Sequence, residues 1–314
     1  LSNLQGTNKA SFSKNYTYFI NTHSNANTPN TINLYDKKGD EIRTIKDSKK
    51  LRKTLQEYEL VEKDFFTFKT NQKVKLNGWM MKPFNFDETK KYPVLMYVYG
   101  GPGSQTVTDS WGGHNYMWYQ LLCQKGYIVV SIDNRGTGGR GSEFKKCTYK
   151  ELGKLETIDQ IEGAKYLSSL SYIDKEKIGI WGWSYGGYMS SLCILKGADY
   201  FNTAIAVAPV TNWRFYDTIY TERYMQTPAE NPNGYDLNSP IHHVDSLSGN
   251  YLLIHGSADD NVHVQNTYEM VNALVNANKQ FDLFIYPDKN HSIYGGYTRL
   301  HLFTRITDFI IKNL

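Results

Sequence analysis

The segment Gly182-Trp183-Ser184-Tyr185-Gly186-Gly187 sets one serine between glycines, and it is the only G-x-S-x-G in the chain. An apolar run, 178–181, leads into it, and Tyr188-Met189-Ser190-Ser191-Leu192-Cys193-Ile194-Leu195 follows as a buried helix pattern. A serine on such a strand-to-helix bend is held in a sharp turn that lifts its Oγ clear of the sheet. Small residues at 182 and 186 let the two backbones pass close together. Ser184 then lies at a helix N-terminus, where partial positive charge favours an oxyanion. The chemistry implied is nucleophilic attack on an acyl carbon; the plainer alternative is a glycine-rich turn with a passive serine.

A serine hydroxyl needs a base, and the base needs an orienting carboxylate. When the nucleophile occupies this bend the chain order is serine, then acid, then histidine, and each partner follows a later strand. The strand pattern 251–255 runs into Gly256-Ser257-Ala258-Asp259-Asp260-Asn261, and the pattern 281–286 runs into Pro287-Asp288-Lys289-Asn290-His291. His291 is the candidate base, and Asp259 or Asp260 the candidate acid. His255 sits inside a strand pattern and reads as structural. His23, His114, His242, His243, His263 and His301 read as lying in loops or helix-like segments, without placement after a strand. Oxyanion donors are expected from the backbone N–H of Tyr185 and from Gly100-Gly101-Pro102-Gly103, which follows the strand pattern 94–99. Pattern alone also allows that loop to be an ordinary Gly-Pro turn. Gly136-Thr137-Gly138-Gly139-Arg140-Gly141 matches G-x-G-x-x-G, but the following residues are polar and broken, and Asp159 falls inside a helix-like stretch, 155–170. A dinucleotide site needs a helix opening at the third glycine and an acid after a second strand. This segment is therefore read as a loop.

The elements that must position these residues alternate. Strand patterns at 94–99, 127–132, 178–183, 203–208, 251–255 and 281–286 are mostly separated by helix-length segments. Val264, Tyr268, Val271 and Val275 recur at helical spacing, as do Leu300, Phe303, Thr307, Ile310 and Leu314, with Thr307 the polar exception. Such alternation predicts an α/β fold with a mostly parallel sheet covered on both faces by helices, its ligands held at the carboxyl ends of the strands. Residues 1–60 differ, being rich in Asn, Thr, Ser and Lys. Strands are expected at 12–20, 31–35 and 41–45, the last two joined by a hairpin at Lys37-Lys38-Gly39-Asp40. Two or three strands bury their faces poorly alone, so this segment reads as part of a larger β structure. The basic run Lys46, Lys49, Lys50, Arg52 and Lys53 reads as a solvated helix face.

Composition narrows the classes further. The 314 residues are 40% hydrophobic and 21% charged, enough for a sizeable core. Apolar runs such as 127–130 fall far short of the ~20 residues of a membrane span. With 35 basic and 31 acidic residues the net charge is +4, too balanced to argue for nucleic acid or a membrane surface as partner. Cys123, Cys147 and Cys193 are odd in number and widely spaced, which excludes a disulfide scaffold and offers no zinc spacing. No metal or organic cofactor is implied. The chain starts at Leu1 without a charged segment leading into an apolar one, as a trimmed protein also would, so the compartment stays open.

Three segments, 182–187, 97–105 and His255-Gly256-Ser257-Ala258-Asp259-Asp260-Asn261-Val262-His263, closely resemble the prolyl oligopeptidase family. Ala206-Val207-Ala208-Pro209-Val210 through Tyr220-Thr221-Glu222-Arg223-Tyr224-Met225 resembles its dipeptidyl peptidase IV branch. The resemblance covers roughly 61–314 and implies an α/β-hydrolase catalytic domain there, with 1–60 as trailing strands of a β-propeller and linker. It implies a triad of Ser184, Asp259 and His291, so Asp259 is taken over Asp260. It places an oxyanion-donating hydroxyl on Tyr99 beside the Tyr185 N–H. It also places a proline pocket on Tyr185, Val210, Trp213, Tyr216, Tyr220 and Val262, and a substrate-carbonyl contact on Asn261. Trp213, Tyr216 and Tyr220 are three and four apart, as on one helix face, and an uncharged aromatic slot suits a neutral proline ring. Without the resemblance that stripe reads as ordinary core.

The implied activity is a serine peptidase that releases Xaa-Pro or Xaa-Ala dipeptides through an acyl-enzyme. An acylaminoacyl peptidase or esterase with the same triad is the alternative, and a catalytically dead scaffold module is disfavoured because no triad residue is lost. The resemblance further implies a peptide substrate, a homodimer made partly through the C-terminal helix, and a periplasmic or secreted location. In the dipeptidyl peptidases, paired glutamates of the propeller hold the substrate amine. The chain is expected to be the catalytic portion of a longer enzyme.

Overall fold

Val94, Leu95 and Met96, like Ile128, Val129 and Val130, are completely buried. Runs this apolar on both sides suit only strands covered on both faces. A computed structural model of the chain describes residues 4–113 and 115–314, so His114 lies outside the described residues. The larger sheet comprises β5 (Lys63–Lys69), β6 (Lys75–Met81), β7 (Tyr92–Tyr97), β8 (Ile128–Asp133), β9 (Ile173–Trp183), β10 (Thr203–Val207), β11 (Asn250–Gly256) and β12 (Asp282–Tyr286). Their order across the sheet is β12-β11-β10-β9-β7-β8-β6-β5. The six strands from β12 to β8 run parallel, while β6 and β5 are antiparallel additions at one edge. The strand patterns of the sequence correspond to β7 through β12; β5 and β6 had not been expected.

The helices are α2 (Tyr116–Gln124), α3 (Ser142–Lys146), α4 (Lys154–Ser168), α5 (Tyr185–Lys196), α6 (Thr218–Met225), α7 (Pro232–Leu237), α8 (Gln265–Asn276) and α9 (Thr298–Asn313). One sheet face packs on α4, α5 and α8, and the other on α2 and α9. Successive residues of β7 point to opposite cores: Val94 and Met96 to the first, Leu95 to the second. This is the α/β-hydrolase arrangement expected. Each buried aliphatic side chain contributes about 1.5–3 kcal/mol relative to exposure, so these two cores hold the strand ends that carry the site.

The stripe predicted on α8 is rotated from the real one, whereas Thr307, Ile310 and Leu314 of the C-terminal stripe are buried as expected. On α8 the buried residues are Asn266, Thr267, Met270 and Leu274, whereas Tyr268 and Val275 are exposed. The inward polar residues are satisfied: Asn266 Oδ1 accepts from the Thr211 N–H at 2.9 Å. On α9, Leu302, Ile306, Thr307, Phe309 and Ile310 are buried and Leu300 is exposed. Thr307 is tolerated because its Oγ1 accepts from Trp118 Nε1 at 2.9 Å and donates to the Phe303 carbonyl at 2.6 Å.

The N-terminal residues form a separate antiparallel sheet of β1 (Thr7–Phe12), β2 (Tyr18–Asn25), β3 (Thr28–Asp36) and β4 (Glu41–Lys46), followed by α1 (Lys49–Gln56). The strand expected over 12–20 is instead two strands and a turn. Asn15 Oδ1 accepts from Ser13 Oγ and Thr17 Oγ1, and Tyr16 takes a positive φ of 58°. His23 lies in β2 rather than in a loop. The hairpin at 37–40 is present, and α1 buries no residue, so its lysines are solvated. This sheet is tied to the larger unit by the Ala26 N–H on Asp109 Oδ1 at 2.7 Å and the Lys63 N–H on Asn27 Oδ1 at 2.8 Å.

Helix α4 carries acids into the interior. Asp159 is fully buried and chelates Arg135, whose Nη2 lies 2.7 Å from Asp159 Oδ1 and whose N–H lies 2.7 Å from Oδ2. Glu156 is also fully buried and has no cationic partner: Oε1 accepts from the Tyr185 hydroxyl at 2.9 Å and Oε2 is unpaired. Burial, reinforced by the negative charge of Asp159, pushes the Glu156 carboxyl up to about 8 from an ordinary 4.5, against the Tyr185 hydrogen bond. Between those two values the unfolded chain has released this proton and the folded chain keeps it, so stability from this group falls as pH rises. Glu156→Gln keeps an acceptor for Tyr185 without a charge to bury. Its urea midpoint relative to the parent is expected to improve from about pH 5 to about pH 8; an equal difference at both would contradict a neutral, buried Glu156.

Candidate active site

Ser184 stands between the end of β9 and the start of α5 at φ 60°, ψ −119°. A positive φ in a non-glycine residue costs on the order of 1–3 kcal/mol. The turn is pinned by the Ser184 N–H on the Val207 carbonyl at 2.8 Å and the Tyr188 N–H on the Ser184 carbonyl at 2.9 Å. A Cβ on Gly182 would strike the Gly186 carbonyl, and one on Gly186 would strike the Val98 carbonyl. The crossing is therefore closed to any side chain at either position. Ser184 is half-buried, and its Oγ has no hydrogen-bond partner among the described residues, so it is free to turn toward an incoming carbonyl.

The turn after β11 and the loop after β12 meet at Asp259. His291 Nδ1 donates to Asp259 Oδ2 at 2.7 Å, which leaves Nε2 as the free nitrogen of the ring. Asp259 Oδ1 accepts from the N–H groups of Asn261 and Val262, each at 2.9 Å. The adjacent Asp260 is exposed. Burial alone would raise the Asp259 carboxyl. Hydrogen bonds from His255 and His291 and the nearby imidazole charge overcome that and hold it well below the usual carboxylate range. His291 is brought to the nucleophile's bend by Trp183, whose Nε1 donates to the His291 carbonyl at 2.9 Å.

The loop after β7 lies beside the bend. Val98 donates its N–H to the Trp181 carbonyl at 3.0 Å, and the Tyr99 ring sits 6.1 Å from the Tyr185 ring, centroid to centroid. The Tyr99 phenol is pushed up by burial, so it is a neutral donor at neutral pH. Tyr185 opens α5, and a first-turn N–H has no acceptor within its own helix. The G-x-G-x-x-G segment is a loop as expected, and it braces this one. Gly103 N–H reaches the Gly136 carbonyl at 2.8 Å, and Gly138 N–H reaches the Ser104 carbonyl at 2.9 Å.

The aromatic residues converge by a route the sequence spacing misstates. Trp213 is in a 3₁₀ turn, Tyr216 is extended, and Tyr220 is in α6, so they do not share a helix face. Their rings nest all the same: Trp213 lies 6.0 Å from both Tyr216 and Tyr220, and 5.7 Å from Tyr185. Val210, Trp213, Tyr185 and Val262 are buried, and Tyr216 and Tyr220 are half-buried. Tyr216 donates its hydroxyl to Asn261 Oδ1 at 2.8 Å, a bond that does not use the Asn261 amide N–H groups. The arrangement offers a hydroxyl, an imidazole on a buried carboxylate, a side-chain amide and an uncharged aromatic slot.

Two residues near this site were not given a part in it by the sequence. Glu156 holds the Tyr185 hydroxyl from beneath. His255, read as structural, is fully buried and places Nε2 3.1 Å from the same Asp259 Oδ2. Its signals in the sequence were its position four residues before Asp259 and its place at the head of the 255–263 segment. No group of three or more His, Cys, Asp or Glu with metal-binding geometry exists among the described residues, and none of their helices is long and apolar enough to cross a membrane.

Residues 115–314 match the prolyl oligopeptidase family. A probable dipeptidyl-aminopeptidase B of Paracoccidioides brasiliensis (strain Pb18) is 42% identical over 278 residues, covering 86% of this chain and 30% of the relative. One from Botryotinia fuckeliana (strain B05.10) is 40% identical over 321 residues, covering 98% of this chain and 34% of the relative. The crystal structure of Porphyromonas gingivalis dipeptidyl peptidase 4 superposes with a TM-score of 0.97 at 49% identity, covering all of this chain and 44% of that one. A putative dipeptidyl aminopeptidase IV from Bacteroides ovatus ATCC 8483 gives 0.93 at 37% identity, covering 99% and 44%. The chain thus spans about a third of these curated relatives and less than half of these solved chains. On the strength of a match over most of its length, with fold and motifs agreeing, the chain belongs to the prolyl oligopeptidase family.

Proposed function

We propose that this chain carries the catalytic part of a serine peptidase that removes N-terminal dipeptides with proline, or less readily alanine, in the second position. The observation that carries the reading is the 2.7 Å bond from His291 to the buried Asp259, next to a strained serine and an uncharged aromatic slot. In this reading Ser184 Oγ attacks the scissile carbonyl while His291 Nε2 takes its proton. His291 later gives that proton to the leaving amine, and water repeats the sequence on the acyl-enzyme. Asp259 holds the imidazole in the Nδ1–H tautomer and stabilises its charged form. The Tyr99 hydroxyl and the Tyr185 N–H receive the oxyanion. The proline ring lies among Tyr185, Val210, Trp213, Tyr216, Tyr220 and Val262, with Asn261 on a substrate carbonyl. Residues 1–60 are taken as trailing propeller strands and linker, and 61–314 as the catalytic domain.

The reading also includes a homodimer built on the outer side of α9, where Tyr297, Leu300 and Ile311 are exposed. Light scattering of the purified chain is expected to give twice the chain mass at high concentration; a monomer there would remove the dimer.

A fluorophosphonate probe should label Ser184, mapped by peptide mass, and Ser184→Ala should abolish labelling. No adduct in a folded chain would mean that this site is not competent. With a chromogenic proline-terminated dipeptide amide, Tyr99→Phe should lower turnover by roughly 10²–10³ with little change in binding, as for loss of one oxyanion donor. Undiminished turnover would remove Tyr99 from the oxyanion site, and a preference for simple esters over proline amides would favour an esterase.

A further inference from the structure

The Asp259 carboxylate serves two histidines. His291 Nδ1 lies 2.7 Å from Oδ2, and His255 Nε2 lies 3.1 Å from the same oxygen. His255 Nε2 is also 2.8 Å from the Val262 carbonyl. Both of its neighbours are acceptors only, so Nε2 must carry the hydrogen. The opposite nitrogen, Nδ1, is 2.7 Å from Thr267 Oγ1, whose hydroxyl can donate to it. Every polar atom of a completely buried ring is thereby satisfied in the neutral Nε2–H form. A histidine fixed this way by strand β11 and helix α8 is a permanent donor to the oxygen that His291 uses.

We infer that His255 is a positioning residue that weakens the pull of Asp259 on His291 and so keeps His291 free of its proton at neutral pH. The inference rests on the triad reading above. The physical ground is charge sharing. A donor to a carboxylate oxygen stabilises its negative charge, and less of that charge is then available to an imidazolium on the same oxygen. The outer partner tunes the inner one, as second partners do for metal-bound histidines.

The other charged and titratable groups around the pair are few. Tyr216 approaches from the segment before α6, with the Tyr99 phenol beyond it. Arg299 of α9 lies over the Trp183 ring at 4.7 Å, and Lys289 and the exposed Asp260 share the surrounding loops. None of these is altered by a change at 255.

The test is the pH dependence of Ser184 labelling by diisopropyl fluorophosphate, followed by intact mass, for the parent chain, His255→Phe and His255→Gln. The parent should show an acid limb where His291 gains a proton. His255→Phe removes the donor but keeps a ring, and its limb should move up by about one pH unit. Labelling on the falling part should then be about tenfold slower, with the alkaline plateau kept. His255→Gln, which can still donate, should restore the limb. Superimposable limbs for the parent and His255→Phe would overturn the inference while leaving the triad standing. So would a loss confined to the plateau, the mark of a purely structural role. A folded parent that takes no adduct on Ser184 would overturn the triad reading, and this one with it. If His255→Phe does not fold, ring-nitrogen NMR of the parent decides. A neutral Nε2–H ring at 255 throughout the titration of His291 supports the inference, and an Nδ1–H or charged ring at 255 overturns it.

Discussion

The contact on which the site depends is the passage of the Val98 carbonyl against the backbone of Gly182 and Gly186. Three segments are forced together there: the end of β7, the end of β9 and the first turn of α5. The distance leaves no room for a Cβ, and from this one crossing follow the unusual backbone of Ser184 and the closeness of the Tyr99 and Tyr185 rings. A parallel sheet makes such a crossing possible, because neighbouring strands end on the same side and their loops compete for the same space. The crossing is rigid for the same reason that it is tight. Buried aliphatic residues of two cores clamp the strands on both faces, and local strain persists only where its surroundings over-determine it.

Buried carboxylates near this crossing are each handled differently, and the differences sort their roles. Asp159 is neutralised by an arginine on the loop after β8, which fixes that loop to α4. Glu156 has no cation and is held neutral by its surroundings, giving the aromatic slot an uncharged floor. Asp259 stays ionised with no cationic side chain of fixed charge beside it, on four donors: two backbone N–H groups and two imidazoles. A charge held by amides and imidazoles is more responsive than one held by arginine, because each donor can be strengthened or withdrawn separately. That is the property a base-orienting group needs.

Much of this was legible in the residues. The six parallel strands, the bend at Ser184 and the placement of Asp259 and His291 after strands follow from apolar runs and the glycines that interrupt them. What was not legible has a common cause. Asn266 and Thr267 look like outward residues by type, yet they point inward because distant partners complete their hydrogen bonds, so the stripe on α8 was misphased. The aromatic trio shares a slot through a broken backbone that no helical period describes. The strand expected over 12–20 was cut by a turn built on one asparagine side chain. His255 resembles any buried strand residue until its partner across a turn is known.

The turn after β11 performs two jobs within the four residues 259–262. Asp259 takes the backbone N–H groups of Asn261 and Val262, while the side chains of those same two residues belong to the proposed substrate slot. Selection on the acid and selection on the slot therefore act on one rigid piece of backbone. A change at 261 or 262 that reshapes the slot also shifts the carboxylate. Among the described residues, one hydrogen bond, from Tyr216 to Asn261, joins residues 213–220 to the turn. That segment can drift in sequence while the acid stays in place. Divergence in substrate choice among relatives should thus accumulate on the 213–220 side of the slot and spare the 259–262 side, and an engineer seeking a new preference would begin there.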